Sequence, residues 1–134
     1  MSKCYKAVDA QTKYFLSYTL PDYITLTYPL NQIVRPEIGQ ILVFQELECA
    51  EAYHRNIGRT LHYAILRCEC GPLTKITWLL HSSLLSPQRV AKFWADPEAY
   101  SEDAHLVVVP LGTYATDWVK PIEVVRGFRW EKRL

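Results

Sequence analysis

The sequence predicts an α+β fold: a single domain, predominantly antiparallel or mixed β-sheet with two short helices. Three observations support this class. The 134 residues are 49% apolar and 22% charged, which is enough apolar material for one core at this length. Several short segments alternate apolar and polar residues, as half-buried strands do. Helical spacing occurs over only two segments. We therefore expect residues 1–134 to form a single globular domain.

The charge balance limits the partners that the whole surface can bind. The chain has 15 basic and 14 acidic residues, a net charge of +1. This balance argues against a protein that binds nucleic acid or anionic membrane over its whole surface. The N-terminal lysines precede no apolar run, and no stretch approaches the roughly twenty apolar residues of a membrane span. We expect a cytoplasmic protein with no membrane partner.

The first half of the chain predicts four strands. Residues 3–8 and 13–18 form a hairpin around residues 9–12. Residues 23–28 alternate apolar side chains with threonine or tyrosine, which predicts a strand with Leu26 pointing inward and Thr27 outward. The run Ile41–Phe44 is apolar on both faces and predicts a central strand.

Two segments have helical spacing. Residues 46–56 place apolar side chains on one side, begin with glutamates and end before Gly58. For the second helix, Ser86 is a suitable N-cap and Pro87 a suitable first residue. Its apolar stripe consists of Val90, Phe93 and Trp94, and Asp96-Pro97 ends it.

The second half predicts further strands. Residues 60–70 and 74–81 suggest a hairpin around Gly71-Pro72, and residues 106–109 a strand buried on both faces. Shorter strands are expected at residues 114–119 and 122–125, separated by Lys120-Pro121.

Two aromatic residues and one loop form the candidate binding surface. Tyr114 and Trp118 lie four residues apart on one side of a predicted strand. Large aromatics at sheet ends suit a contact surface, although they also suit the core. Between Pro29 and Pro36 the loop carries a single cation, Arg35, which alternatively pairs with Glu37. The predicted contact residues for a protein or small-molecule ligand are Tyr28, Arg35, Tyr114 and Trp118.

The spacing of the cysteines favours a role in the core over a role in metal binding. Cys68 and Cys70 would face the same side of a strand as Leu66, and cysteine is among the most buried residue types. No C-x-x-C pair and no two histidines at a short ligand spacing occur. We expect no metal and no cofactor.

The motifs of easily recognised enzymes are missing. The sequence contains no Gly-rich phosphate loop, no G-x-S-x-G and no H-E-x-x-H. The leading hypothesis is therefore a small binding or interaction protein rather than an enzyme. The second hypothesis rests on residues 41–70, whose resemblance to a known family is given below: an ADP-ribosyltransferase-like enzyme or a degenerate relative of one. The third is nucleic-acid binding through residues 126–134, where four cations surround Phe128 and Trp130. A solvated edge strand explains the same residues.

Two parts of the sequence resemble known protein families, and both resemblances bear on these hypotheses. Residues 41–70 have the pattern V-F-x-x-L-x-x-A-x-x-Y followed by an aliphatic strand. This strand–helix–strand order resembles small ADP-ribosyltransferase-like domains, which implies NAD as cofactor and Glu123 as the catalytic carboxylate. The opening Tyr5-Lys6-Ala7-Val8 and the segment 112–121 resemble a group of small bacterial and phage proteins. That likeness implies a compact, free-standing cytoplasmic domain and a phage context. Under the binding-protein hypothesis, the chain would then be phage-encoded and act on a host factor.

Overall fold

A computed structural model describes residues 2–9, 16–17, 26–37, 39–56, 63–76, 78–80, 88, 91, 94–95, 106–108 and 111–127. Within these ranges the chain alternates short strands with one helix. The strands are β1 (Ser2–Asp9), β2 (Leu16–Ser17), β3 (Ile41–Phe44), β4 (Tyr63–Cys70), β5 (Thr74–Lys75), β6 (Trp78–Leu80), β7 (Leu106–Val108), β8 (Thr113–Thr116) and β9 (Val119–Gly127). The helix is α1 (Leu47–Asn56).

The main sheet has the order β5-β8-β3-β1-β4-β9, and β2 pairs with the end of β1. Every described pairing is antiparallel, so the antiparallel form of the predicted sheet is the one observed. The antiparallel pairing of β1 with β2 confirms that the first two predicted strands pair, but Asp9 of the predicted turn lies in the ladder opposite Leu16. β3 lies between β8 and β1, which confirms it as a central strand. β6 and β7 form a separate two-stranded sheet.

The sheet closes on itself because four of its strands are the halves of two longer, bent strands, β4 with β5 and β8 with β9. The register that sets Cys70 opposite Val119 is the same register that sets Thr74 opposite Ala115, beyond the bend at residues 71–73. At the bend between them, the amide of Gly71 donates to the carbonyl of Trp118 at 3.2 Å. β4 with β5 is therefore one bent strand, and β9 with β8 is its partner.

Chain length requires the same closure. In the sheet order, β8 and β9 are four strand spacings apart, roughly 19 Å in a flat sheet. Only residues 117–118 join them, and such a link spans about 11 Å at most between the flanking Cα atoms. Since β8 pairs with β3, β3 with β1 and β1 with β4, the ladder returns to its start as a short cylinder.

The inner face of the cylinder holds the larger core. Alternate residues of each strand point inward, as the period of two requires. The buried members include Cys4, Val8, Ile41, Val43, Leu66, Cys68, Cys70, Val119 and Val124, together with Tyr28 and Val34 from the segment before β3. The predicted inward placement of Cys68 and Cys70 beside Leu66 is thus confirmed.

The outer face is covered in part by α1. Ala50 of the helix packs with Phe44 and Ile65 in a second cluster, and the rings of Phe44 and Tyr53 lie 5.4 Å apart. Glu48 in the first turn and Arg55 in the last complement the helix dipole. This confirms the first predicted helix. No helix within the described ranges is both long and apolar enough to cross a membrane.

Two strand predictions are wrong. The segments 60–70 and 74–81 do not form a hairpin, because both edges of β4 are already occupied by β1 and β9. β5 pairs instead with β8, and β6 with β7. The predicted break at Lys120-Pro121 is also absent, since β9 runs through both residues. A register shift adjoins Pro121, which is the kind of position where a strand tolerates proline.

Several predictions fall largely outside the described residues. Of the second helix, Gln88, Ala91, Trp94 and Ala95 are described and helical, and the rest stays a prediction. The indole of Trp94 lies where a Cβ of Gly39 would be, so position 39 requires glycine.

Residues 23–25 of the predicted third strand lie outside the described residues. In the described part of that segment, Thr27 is exposed and Leu26 is half-buried. Residues 106–108 form a strand, as predicted, and the burial of both of its faces stays a prediction.

The bend at Gly71 supplies the first testable prediction. A Cβ there would lie 2.7 Å from Nε1 of Trp118 and would also meet the carboxylate of Asp117. We expect Gly71→Ala to lower the free energy of unfolding by about 1–3 kcal/mol, because the indole has to move. Chemical denaturation measures the change. The control, Lys75→Ala at an exposed position of the same bent strand, should cost less than about 0.5 kcal/mol. Equal effects would contradict the close approach.

Candidate functional site

Two of the predicted contact residues come together beside the bend. Val34 and Val119 pair across an antiparallel bridge, donating to each other's carbonyls at 2.7 and 3.1 Å. The residue after Val34 is Arg35 and the residue before Val119 is Trp118, so the register sets them opposite each other. Because both valines point into the core, Arg35 and Trp118 share the outward face.

The same row continues on the other side of the indole. Gly71 lies opposite Trp118 in the bent ladder, and the indole packs over its Cα. Trp118 is therefore flanked by a glycine backbone and an exposed arginine. Ile33 and Lys120, next along the bridge, extend this face, and Ile33 is 56% exposed. We call Ile33, Arg35, Trp118 and Lys120 the Trp118 surface.

The other two predicted contact residues are elsewhere. Tyr28 is only 1% exposed and belongs to the inner core, so it is not available to a partner. Tyr114 is half-buried in β8 and packs against the same inner core. It does not share a strand with Trp118, because β8 ends at Thr116 and the chain turns at residues 117–118. The prediction that one strand side carries both aromatics is wrong for this reason.

Glu123 lies on the outer face of β9. Its carboxylate accepts a hydrogen bond from Nε of Arg67 at 2.8 Å, and both side chains are substantially exposed. The two residues are direct partners across β4 and β9. This geometry is that of a cross-strand ion pair. Of residues 126–134, only Arg126 and Gly127 are described, so the predicted basic-aromatic tail lies outside the described residues.

A lysine points into the inner face among apolar residues. Lys6 stands between Cys4 and Val8 in the alternation of β1, and its Nζ donates to the carbonyl of Leu42 at 2.8 Å. The same Nζ lies 5.6 Å from the centre of the Tyr28 ring. Burial lowers the pKa of Lys6 to about 8, because the ammonium loses hydration that these partners only partly replace.

Three thiols lie beside this lysine. Cys4 is the direct cross-strand partner of Cys68, and Cys4, Cys68 and Cys70 are all fully buried and free of disulfides. A hydrogen bond with Cys68, together with burial, raises the pKa of Cys4; a hydrogen bond with Cys4, together with burial, raises that of Cys70. Both thiols are therefore held in the protonated form. Among the described residues, no group of three or more potential ligands is arranged to hold a metal ion.

Sequence reasoning missed the inward lysine, although a signal was present. In Cys4-Tyr5-Lys6-Ala7-Val8 the inward positions of the strand are Cys4, Lys6 and Val8. A lysine in an inward position of an alternating strand marks a buried cation. Sequence reasoning also missed the pairing of Arg35 with Trp118, because it depends on a bridge between residues 85 positions apart.

Comparison of the chain with protein-family models, with curated proteins and with solved structures finds no match in any of the three.

The buried lysine predicts a particular pH dependence. Between pH 8 and 10.5, the ordinary lysine pKa, the unfolded chain holds a proton that folded Lys6 has lost. The contribution of Lys6 to stability therefore rises with pH in this window, by at most about 1.4 kcal/mol per pH unit. In Lys6→Met this contribution is absent. Chemical denaturation at pH 7, 8, 9 and 10 should show the stability of wild type relative to Lys6→Met increasing with pH.

The buried thiols of Cys4 and Cys70 have the opposite effect on stability. Above pH 9, their ordinary pKa, the unfolded chain loses these protons while the folded chain keeps them, so their contribution to stability falls as the pH rises. They are present in both proteins, so their effect cancels in the difference. A difference in unfolding free energy that stays constant from pH 7 to 10 would show that Lys6 does not have a lowered pKa in the folded chain.

Proposed function

We propose that this chain is a small cytoplasmic binding protein whose Trp118 surface contacts another protein. The observation that supports this best is the row Gly71–Trp118–Arg35, in which the indole packs on Gly71 and the register places Arg35 opposite Trp118 on the outward face. Tryptophan and arginine are the residue types most enriched where interfaces concentrate their binding energy.

The backbone holds this row in place before a partner arrives. The carbonyl of Trp118 accepts from Gly71, and the adjacent Val119 is hydrogen-bonded to Val34 on the other side. A side chain whose backbone is fixed on both sides loses less conformational entropy on binding. The exposed Ile33 adds apolar area beside it.

The Trp118 surface carries charges of both signs. Arg35 and Lys120 lie on its outward face, Glu69 is the direct cross-strand partner of Lys120, and the carboxylate of Asp117 lies beside the indole at Gly71. Complementary charge on a partner would accelerate association with this surface. We propose a host protein as the partner, since the resemblance to small bacterial and phage proteins favours a phage context. The described residues add no observation in favour of an ADP-ribosyltransferase-like activity or of nucleic-acid binding.

Affinity capture with matched variants tests this proposal. Immobilised wild type is incubated with a lysate of the organism that encodes the chain, in parallel with Arg35→Ala, Trp118→Ala and Arg67→Ala. Arg67 is the control, an outer-face arginine paired with Glu123. We expect a set of proteins that wild type and Arg67→Ala retain and that both surface variants lose. Removing an aromatic or arginine anchor costs about 2 kcal/mol or more, at least a twentyfold loss of affinity.

Thermal unfolding of each variant shows whether it is folded. Trp118→Ala removes packing on Gly71 and is expected to be less stable, whereas Arg35 is exposed and its removal should leave stability unchanged. Loss of capture by folded Arg35→Ala therefore reports on binding. If all four proteins capture the same set, or none, the proposed function is wrong.

A further inference from the structure

Lys6 differs from its neighbours on the inner face of β1 in its access to solvent. Cys4 and Val8, two residues away on either side, are both 0% exposed, whereas Lys6 is only half-buried. Solvent therefore reaches this lysine although the residues beside it are enclosed. A lysine in such a position is either a structural hydrogen-bond donor or an amine that reacts, and the surroundings of its Nζ distinguish the two roles.

The surroundings of Nζ provide no carboxylate from the described residues. Nζ donates to the carbonyl of Leu42 at 2.8 Å and lies 5.6 Å from the centre of the Tyr28 ring. Among the described residues, the ionisable side chains that act on the ammonium are the thiols of Cys4 and Cys68. A carbonyl and an aromatic ring replace lost hydration less completely than a paired carboxylate does, so the charged form of Lys6 is costly here.

A costly ammonium makes the amine available as a nucleophile, because only the uncharged amine carries a free electron pair. Burial lowers the pKa of Lys6 to about 8 from the ordinary 10.5. At pH 7.4 about a fifth of Lys6 is then uncharged, compared with about one part in a thousand at the ordinary pKa. Desolvated lysines of this kind are the ones that proteins use in covalent chemistry.

The hydrogen bond to Leu42 limits which product fits the site. An imine, formed with an aldehyde, has no N–H in its uncharged form and would deprive the Leu42 carbonyl of this donor. An amide, formed by acyl transfer, keeps one N–H for the same carbonyl and carries no charge into the apolar surroundings. Acylation therefore removes the costly charge and preserves the hydrogen bond.

We propose that Lys6 is a modification site, at which a small acyl group is transferred from an acyl thioester to Nζ. The nitrogen bonds to the carbonyl carbon of the donor, the carbon–sulfur bond breaks, and the sulfur leaves as a thiol with the proton that the nitrogen gives up. A thioester suits the site because neither the reacting group nor the departing thiol is charged. The site is on the inner face, so this inference is independent of the Trp118 surface.

Acetylation by a small neutral thioester tests the inference. The folded full-length chain is incubated with S-acetyl-N-acetylcysteamine at pH 7.4, and mass spectrometry of chymotryptic peptides follows each lysine with time. Lys3 is the internal comparison, an exposed residue on the outer face of the same strand. Cleavage after Tyr5 places Lys3 and Lys6 on different peptides, and fragment ions separate Lys6 from Lys13.

We expect Lys6 to be acetylated at least about tenfold faster than Lys3 in the folded chain. The larger uncharged fraction favours Lys6 by more than this factor, but a less basic amine is a weaker nucleophile and the half-buried position slows access. In concentrated guanidinium chloride the ratio of the two rates should fall to about one, because both lysines are then fully solvated. In Lys6→Arg, the acetyl group at position 6 should be absent and the rate at Lys3 unchanged.

The ratio of the two rates decides the outcome. A smaller ratio in the folded chain, down to complete protection of Lys6, would show that the lysine is only a structural donor and overturn the inference. A ratio that stays equally high in guanidinium chloride would also overturn it, because the reactivity would then come from the local sequence rather than from the folded surroundings of Nζ.

Discussion

The rest of the structure depends on the hydrogen bond from Gly71 to Trp118, which keeps two bent strands in one register on both sides of the bend. Without that pairing, a link of two residues could not join β8 to β9 across the width of the sheet. The bend requires a residue without a Cβ at Gly71, because the indole of Trp118 occupies that space. Closing the sheet then creates one enclosed inner face, and the buried core follows from it.

The same constraint accounts for the distribution of polar groups. The alternation of β1 places Lys6 on the inner face. There its Nζ donates to the carbonyl of Leu42 and lies over the ring of Tyr28. On the outside, the closed sheet leaves Arg35 and Trp118 on one face, and α1 with Arg126 at the other end.

Local patterns predicted local structure well. The first helix, the first hairpin and the central position of Ile41–Phe44 follow from periods of 3.6 and 2, which neighbouring residues determine. The partner of β5 was not predictable in this way, because it depends on which strand edges are already occupied. Similarly, Arg35 and Trp118 were each selected from their residue type, whereas their adjacency depends on a long-range bridge. Tyr28 was also selected from its residue type, but the closed sheet encloses it in the inner core.

Nuclear Overhauser contacts in the folded chain test the closure most directly. A closed sheet predicts cross-strand contacts between Thr74 and Ala115 and between Gly71 and Trp118, together with those between Cys4 and Cys68. The last pair belongs to β1 and β4 and serves as an internal reference for a well-formed ladder. Clear contacts for Cys4 and Cys68, with none for Gly71–Trp118 and Thr74–Ala115, would show that the sheet is open.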